Sequence, residues 1–140
     1  HNNTITSFLS NQLTDERFLA REPGVNNEMI IEQHLANPAP TVLVSPSLSR
    51  GVDLKDNLAR FQIIVKAPYL PTKDKRIERL MKDDFNWYSN KMLCSVIQSC
   101  GRGVRSKKDY CTTYILDGAV VESVVNNKHK LPKYFIDRFL

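Results

Sequence analysis

Short apolar runs alternate along the chain with longer segments of helical periodicity. The runs read TVLV at 41–44, FQIIVKAPY at 61–69 and CTTYIL at 111–116, and RFLAR at 17–21 is a shorter example. Continuous apolar runs that are rich in β-branched residues are typical of strands covered on both faces. We therefore predict a strand at each of these runs.

The segments between the runs have the spacing of helices. In the first of them, Ile5, Phe8 and Leu9 recur at helical spacing after Thr4, a residue type that caps helices. Strands that alternate with helices indicate a parallel sheet covered by helices, so we predict an α/β fold. The predicted helices are residues 4–13, 28–36, 73–101, 118–125 and 131–140, the last with Pro132 in its first turn.

Composition and charge narrow the class of protein. The chain has 140 residues, of which 41% are apolar and 25% are charged, as is typical of one globular domain or a piece of a larger protein. Its net charge of +5 and its pI near 9.2 favour an anionic partner such as nucleic acid or a nucleotide. No apolar run is long enough to span a membrane, and the start of the chain lacks the pattern of a signal peptide, so we expect no membrane partner.

The cysteines give little sign of chemistry. Cys94, Cys100 and Cys111 form no CxxC pair, and no histidine stands at metal-ligand spacing from them. We expect structural or incidental thiols in a reducing compartment, in the cytoplasm or associated with the nucleoid. We also expect no metal site formed by this chain.

The segment VIQSCGRGVRSKKDY at 96–110 carries the most pronounced charge pattern. If residues 91–105 form a helix at roughly 100° per residue, Gln98, Arg102 and Arg105 share one stripe. Arginines on one face suit phosphate oxygens, because each guanidinium offers paired planar donors. The opposite stripe is apolar and predicts contact with the core through Leu93, Ile97, Cys100 and Val104.

Two features of this segment leave alternatives open. Gly101 and Gly103 lack side chains, so a ligand or another domain could approach the backbone closely, yet glycines also end helices. The arginines suit a phosphate site, yet they also suit a basic helix end that complements the helix dipole, with Lys107 and Lys108 continuing it into solvent.

The loop SPSLSRGVDL at 45–54 follows directly on the predicted strand 41–44. In α/β folds of this kind ligands bind at loops that leave the carboxyl ends of strands, so we expect function here, after Lys66 and on the approach to Cys111. Serine hydroxyls, a glycine and Asp53 can hold a phosphate, a ribose or a metal-bound water, although the same residue types form plain turns. The chain contains no GxxxxGK[ST] segment and no DExx segment after a strand, so it lacks the usual P-loop.

Taken together, SLSRGVDL at 47–54 and QSCGRGVRSKKDY at 98–110 resemble motifs V and VI of superfamily 2 helicases. Between them, LARFQIIVKAPYLP at 58–71 resembles a segment of the DinG and XPD branch of that superfamily. LPKYFIDRFL at 131–140 resembles the ending of the same branch. The resemblance covers residues 41–140.

The resemblance implies the second RecA-like motor domain of a helicase, a three-layer αβα sandwich with a mainly parallel sheet. The helix-like start of the chain suggests that the first strand of that fold is lacking and that the chain is a fragment of a protein with two motor domains. In such helicases ATP binds between the two domains, and the P-loop and the acids that hold Mg²⁺ belong to the first. The implied partners are ATP, the first motor domain and single-stranded or forked DNA, and this chain alone is expected to be inactive as an ATPase.

The resemblance also implies roles for individual residues. Arg102 and Arg105 match arginine fingers and Gln98 matches a residue near the terminal phosphates, so these are the candidate catalytic residues. The candidate nucleotide-binding residues are Gly51, Asp53 and Gly101, and the candidate nucleic-acid-binding residues are Ser47 and Arg50.

The chain departs from the family pattern at several positions. Arg50 stands where a glutamate is common, and Cys111 stands where a glycine is common. LDG at 116–118 stands where Leu-Asp-x-Arg is frequent, which removes a basic residue. The cysteines that bind an iron-sulfur cluster in many relatives belong to the first motor domain, so we expect no cluster in this chain.

Two other functions fit the residues. A non-enzymatic module could hold single-stranded nucleic acid on its basic face, with Phe85, Trp87 and Tyr88 stacked on bases, although these side chains also suit packing. A degenerate RecA-like scaffold could serve protein contacts, although Gln98 and the two arginines argue against it.

Overall fold

A computed structural model of the chain describes residues 2–12, 15–20, 26–37, 39–45, 54, 56–104, 106 and 108–139. Its internal contacts divide the chain into two compact units, His1–Val52 and Asp53–Leu140. Each unit contains a pair of parallel strands together with helices. The predicted α/β class with parallel strand pairing is therefore confirmed.

The first unit is a small strand-helix-strand arrangement preceded by a helix. Its elements are α1 Asn2–Gln12, β1 Phe18–Ala20, α2 Asn27–Ala36 and β2 Val42–Val44. β1 and β2 pair in parallel from Phe18 opposite Val42. Parallel neighbours need a crossover connection, which α2 supplies. Asn26 caps α2, because its side-chain oxygen accepts a hydrogen bond from the Glu28 N–H at 3.3 Å.

The second unit contains the segments that the sequence analysis singled out around Gln98. Its elements are a 3₁₀ turn Asp56–Leu58, β3 Phe61–Ile64, α3 Lys75–Asp83, α4 Phe85–Cys100, β4 Thr112–Ile115, α5 Gly118–Asn126, a second 3₁₀ turn Lys128–Lys130 and α6 Lys133–Ile136. β3 and β4 pair in parallel from Phe61 opposite Thr112 to Ile64 opposite Ile115, and α3 and α4 lie in the crossover. In the part of the chain that the structure describes, no helix has the length and apolar character needed to cross a membrane.

The sequence pattern predicted one helix over 73–101, and the structure contains two. Asp84 separates them with an extended backbone at φ −147° and ψ 91°. Its N–H ends α3 by donating to the Leu80 carbonyl at 2.9 Å, and its carboxylate begins α4 by accepting from the Trp87 N–H at 3.0 Å. One aspartate thus satisfies backbone groups at both helix ends, a local effect that hydrophobic spacing does not reveal. The prediction of a single helix was wrong at this residue.

The strand predicted at 61–69 is also shorter in the structure, because Asp117 binds the backbone that would continue it. β3 ends at Ile64, and the Ala67 N–H donates to the Asp117 carboxylate at 2.8 Å. The same carboxylate caps α5 by accepting from the Ala119 N–H at 3.0 Å. These two hydrogen bonds lower the pKa of Asp117 below its ordinary value, and the bond from Ala67 has the larger effect.

The helix predicted at 131–140 is reduced to α6. Pro132 stands before it with an extended backbone, at φ −59° and ψ 135°, and so lies outside the helix. At the other end, the Phe139 N–H donates to the Ile136 carbonyl three residues back rather than four. The chain therefore leaves the α-helical pattern within a few residues, and the predicted extent was wrong.

The core of the second unit lies between α4, α5 and one face of the β3–β4 pair. Met92, Val96 and Val120 are 0% exposed at its centre. Alternate strand residues face this core, so Ile64 and Ile115 pack against it. The opposite face of the strand pair is about half exposed, at Phe61, Ile63 and Tyr114.

Replacing Met92 by alanine should lower the free energy of unfolding of the 140-residue chain by about 2–5 kcal/mol, because the substitution leaves a cavity at a fully buried site. The matched substitution Met29→Ala should have a much smaller effect, since Met29 is 55% exposed. Urea unfolding followed by circular dichroism measures both changes. Equal losses would contradict the assignment of Met92 to the core.

Replacing Asp117 by alanine should lower the free energy of unfolding by about 0.5–2 kcal/mol through the lost cap, and further through the lost bond to Ala67. Because the folded pKa is lowered, the carboxylate stabilises fully above its ordinary pKa of 3.8 and loses this effect as the pH falls through the folded value. The difference between wild type and Asp117→Ala, measured by urea unfolding across the acid range, should therefore shrink only at acid pH. Asp74→Ala is the control, because Asp74 caps α3 through the Arg76 N–H at an exposed site, and it should have the smaller effect.

Candidate functional site

Three of the predicted site residues, Gln98, Gly101 and Arg102, belong to the described part of the chain. They lie at the end of α4 and in the turn that follows it. The others lie outside the described residues, so their roles stay predictions. They are Ser47, Arg50, Gly51, Asp53 and Arg105.

The last turn of α4 leaves Gln98 and Gly101 exposed. Gly101 is the C-cap, with φ −77° and ψ −7°, and its N–H donates to the Ile97 carbonyl at 3.1 Å. A Cβ atom built on Gly101 would meet only the carbonyl oxygens of Gln98 and Ile97, each at 3.7 Å, which is ordinary contact. The surface beside Gly101 is therefore open to a ligand, as the sequence analysis allowed.

Arg102 lies in the turn after α4 and not on a helical stripe. Its N–H donates to the Ser99 carbonyl at 3.1 Å, a bond that spans three residues. The helix predicted over 91–105 was therefore wrong beyond Cys100, and the stripe of Gln98 and Arg102 cannot be taken from helical spacing. The Arg102 side chain is half-buried, with its Nε atom shielded from solvent.

Gly103 is buried because Cys111 fills the space beside it. A Cβ atom at position 103 would lie 2.5 Å from the Cys111 Cβ, 2.6 Å from its Sγ and 3.3 Å from the Ala59 carbonyl oxygen. No side chain fits there, so this glycine serves packing within the unit, and the hypothesis that a ligand approaches its backbone was wrong. The missing side chain also makes room for Cys111, where the resembled family commonly has glycine.

Gln62 holds the end of α4 against both strands. Its Nε2 donates to the Ser99 carbonyl at 3.0 Å and to the Thr113 Oγ1 at 2.7 Å. A half-buried amide that reaches a helix end and a neighbouring strand fixes their relative position. Sequence reasoning missed this residue, although a lone amide inside the apolar run 61–69 is a signal that could have drawn attention to it.

Arg60, directly before β3, makes the largest set of polar contacts around the site. Its Nη1 donates to the Asp109 Oδ1 at 2.8 Å and to the Tyr110 carbonyl at 3.1 Å. Its Nε and Nη2 donate to the Asn57 Oδ1 at 3.1 Å and 2.8 Å, and the guanidinium carbon lies 4.5 Å from the centre of the Tyr110 ring. Sequence reasoning missed this arginine too, because its partners Asp109 and Tyr110 are distant in sequence.

These contacts place the Gln98–Arg102 turn at the amino ends of β3 and β4. Ala59 and Cys111, which border Gly103, stand just before the two strands. The approach to Cys111 was one of the three expected places for function, and the described candidates lie there, although at the amino ends of the strands rather than the carboxyl ends from which the expectation was argued. The loop after Lys66 was another, and its described polar contacts include the bond from the Ala67 N–H to the Asp117 carboxylate and the bond that the Leu70 carbonyl accepts from the Tyr88 hydroxyl.

A shallow cleft of about 400 Å³ runs along α4 and includes Gln98. Lys130 contributes a positive charge to it, and none of its described lining residues is acidic. Most of the lining is apolar, as at Leu93, Ile97 and Leu131, and Asn90, Gln98 and Lys130 are its polar side chains.

Cys94, Cys100 and Cys111 are free thiols, and the environments of Cys100 and Cys111 suppress the reactivity of these two. Burial raises the pKa of Cys100, and burial followed by the nearby Asp109 charge raises the pKa of Cys111. A protonated, partly buried thiol behaves as a small apolar side chain. Among the described residues, no group of three or more His, Cys, Asp or Glu side chains is placed to hold a metal ion.

Comparison with known proteins shows that this chain is similar to parts of three proteins named as helicases. The chain is 31% identical over 110 residues to the ATP-dependent DNA helicase CHL1 of Kluyveromyces lactis, a match that covers 66% of this chain and 13% of the relative. It is 30% identical over 104 residues to the Candida albicans protein of the same name, covering 61% and 12%. It is 29% identical over 104 residues to the regulator of telomere elongation helicase 1 homolog of Caenorhabditis elegans, covering 63% and 10%.

The chain thus spans only a small part of each of these relatives. No solved structure is a significant match to it. A family model described as the helicase C-terminal domain matches residues 2–136, almost the whole chain. The chain therefore belongs to the helicase C-terminal domain family, which confirms its resemblance to superfamily 2 helicases of the DinG and XPD type and its RecA-like α/β fold.

Proposed function

We propose that this chain is the second motor domain of an ATP-dependent DNA helicase and supplies one half of an ATP site that a first motor domain completes. The observation that carries the proposal is the turn Gln98–Gly101–Arg102 at the end of α4. There an exposed amide, an open glycine backbone and a half-buried guanidinium stand together in a segment that the family model covers.

Arg102 would act on charge that develops at the transferred phosphoryl group. A guanidinium held by a fixed turn stabilises the transition state more than the ground state, and arginine fingers contribute about 10³–10⁵ in kcat where they have been measured. Gln98 would stand near the terminal phosphates as a hydrogen-bonding group. Arg105 is proposed as the second finger from its place in the motif.

The described residues fit the phosphates of ATP better than they fit its metal ion. Gln98, Arg102 and Lys130 are donors or cations, whereas the described residues form no acidic cluster for Mg²⁺. We therefore assign the metal-binding acids to the first motor domain. In the loop 45–54, Gly51 and Asp53 are proposed to couple the nucleotide to DNA, and Ser47 and Arg50 to lie near the strand.

A non-enzymatic module for single-stranded nucleic acid is the second candidate, and the exposed aromatic surface at the start of α4 favours it. Phe85 is 62% exposed, and the Lys91 ammonium lies 5.8 Å from the centre of the Trp87 ring. Tyr88 belongs to packing instead, since it is 6% exposed, stacks on Tyr69 and donates its hydroxyl to the Leu70 carbonyl.

Arg102→Ala in the full-length protein should lower kcat for ATP hydrolysis by about 10³-fold or more and leave nucleotide affinity largely unchanged, because a finger acts in the transition state. Lys108→Ala is the matched control, since Lys108 is exposed and basic in the same segment, and it should retain near wild-type turnover. Steady-state ATPase assays with a nucleotide-binding titration measure both. Wild-type turnover by Arg102→Ala would refute the finger assignment.

The two candidate functions differ in how the isolated 140 residues bind oligo(dT). The motor-domain proposal predicts weak binding, because the strand lies across both motor domains. An independent binding module would bind tightly, with an affinity that falls steeply with salt as phosphate contacts release counterions. Fluorescence anisotropy over a salt series distinguishes them, and tight binding that is lost in Phe85→Ala would favour the module.

A further inference from the structure

Arg60 joins two segments that are far apart in sequence. On one side it binds Asn57, in the 3₁₀ turn Asp56–Leu58, through two N–H groups. On the other side it binds Asp109 and the Tyr110 carbonyl, in the segment between α4 and β4. Every nitrogen of the guanidinium is used, so one planar group fixes both segments relative to each other.

One of the two segments follows the first motif identified in the sequence, and the other ends the second motif. Asn57 lies just after the loop 45–54, which the proposed function assigns to coupling with DNA. Asp109 and Tyr110 end the segment QSCGRGVRSKKDY, which contains Arg102. Arg60 therefore connects a residue just downstream of the first motif with the last two residues of the second.

Burial makes this connection rigid at the Asp109 end. The Asp109 side chain is 0% exposed, while that of Arg60 is 31% exposed. A buried carboxylate requires a fixed cation and hydrogen-bond donors, and the Tyr110 N–H also donates to its Oδ1 at 2.9 Å. The Asn57 end is exposed, so a displacement of the 3₁₀ turn at the surface would reach the buried Asp109 through the guanidinium.

We propose that Arg60 is a positioning residue that transmits the effect of bound DNA to the ATP site, through Asn57 on one side and Asp109 on the other. The inference rests on the proposed function, because it assumes that this domain completes an ATP site and that the loop 45–54 responds to DNA. Displacement of the 3₁₀ turn by DNA moves Arg60, and Arg60 moves the segment that follows Arg102. Such a link would make ATP hydrolysis depend on bound DNA.

Asn57 provides the sharpest test, because its side chain is exposed and its removal should leave the fold intact. In the full-length protein, Asn57→Ala should keep the ATPase kcat measured without DNA, but saturating oligo(dT) should stimulate it about 2- to 30-fold less than wild type. Asn57→Asp keeps an oxygen that accepts from Arg60, so it should retain the stimulation. Stimulation by oligo(dT) is a readout that a purely structural role would not change.

Arg60→Lys tests the other end of the link. A lysine cannot bind Asn57 and Asp109 at once, so kcat with DNA should fall by about 10- to 100-fold while KM for ATP changes little, as expected for a misplaced catalytic segment. The matched control is Arg79→Lys, because Arg79 only pairs with Asp83 at 3.7 Å on the surface. Thermal unfolding of each variant identifies any loss of folding. If Arg60→Lys does not fold, the comparison of Asn57→Ala with Asn57→Asp tests the proposal alone.

The outcomes separate this inference from the function on which it rests. If Asn57→Ala is stimulated by oligo(dT) as strongly as wild type, Arg60 does not transmit the effect of DNA. If Asn57→Ala and Asn57→Asp lose stimulation equally, the contact with Arg60 is not the cause, and the inference is again overturned. Turnover by Arg102→Ala would refute the proposed function itself, whereas an inactive Arg102→Ala beside a normal Asn57→Ala would refute the coupling alone.

Discussion

The contact between Gly103 and Cys111 determines where the candidate site stands. Because no Cβ atom fits at position 103, the turn after α4 lies directly against the residues that begin β3 and β4. α4 itself is held by Met92 and Val96, which are fully buried in the core of the second unit. Close-packed elements can move little relative to one another. The core, the end of α4 and the turn after it therefore form one connected support for Arg102.

Aspartates set the limits of the helices around that support. Asp74, Asp84 and Asp117 each cap a helix by accepting a backbone N–H, and Asp117 also binds the backbone beyond β3. The carboxylates of these aspartates are occupied by hydrogen bonds to backbone N–H groups. Beyond the end of α4, Asp109 is likewise occupied, because its carboxylate accepts from Arg60 and from the Tyr110 N–H.

The sequence was informative where a residue's environment follows from its near neighbours. The predicted strand positions and the helix α5 are correct because apolar spacing reflects burial, as at Val120 and Val124. Gln98 and Arg102 could be selected because the motif is local. The errors arise where a polar side chain binds backbone, as at Asp84, or where partners lie far apart in sequence, as for Arg60 and its contact 49 residues away. The spacing of apolar residues along the chain does not reveal such polar or long-range contacts.

If the proposed function is correct, the fixed turn that contains Arg102 has its greatest effect before the two motor domains close to complete the ATP site. A site shared by two domains forms only when they close, and any segment that had to become ordered at that moment would oppose closure. Gln62 and Arg60 hold both ends of the segment around Arg102 through bonds that need no ligand. The guanidinium can then meet the phosphates with little reorganisation, which is the condition under which a charged group stabilises a transition state most effectively. On this proposal an isolated half-site would be preorganised by these bonds and would still lack activity, because the groups that bind and activate the nucleotide would belong to the other half.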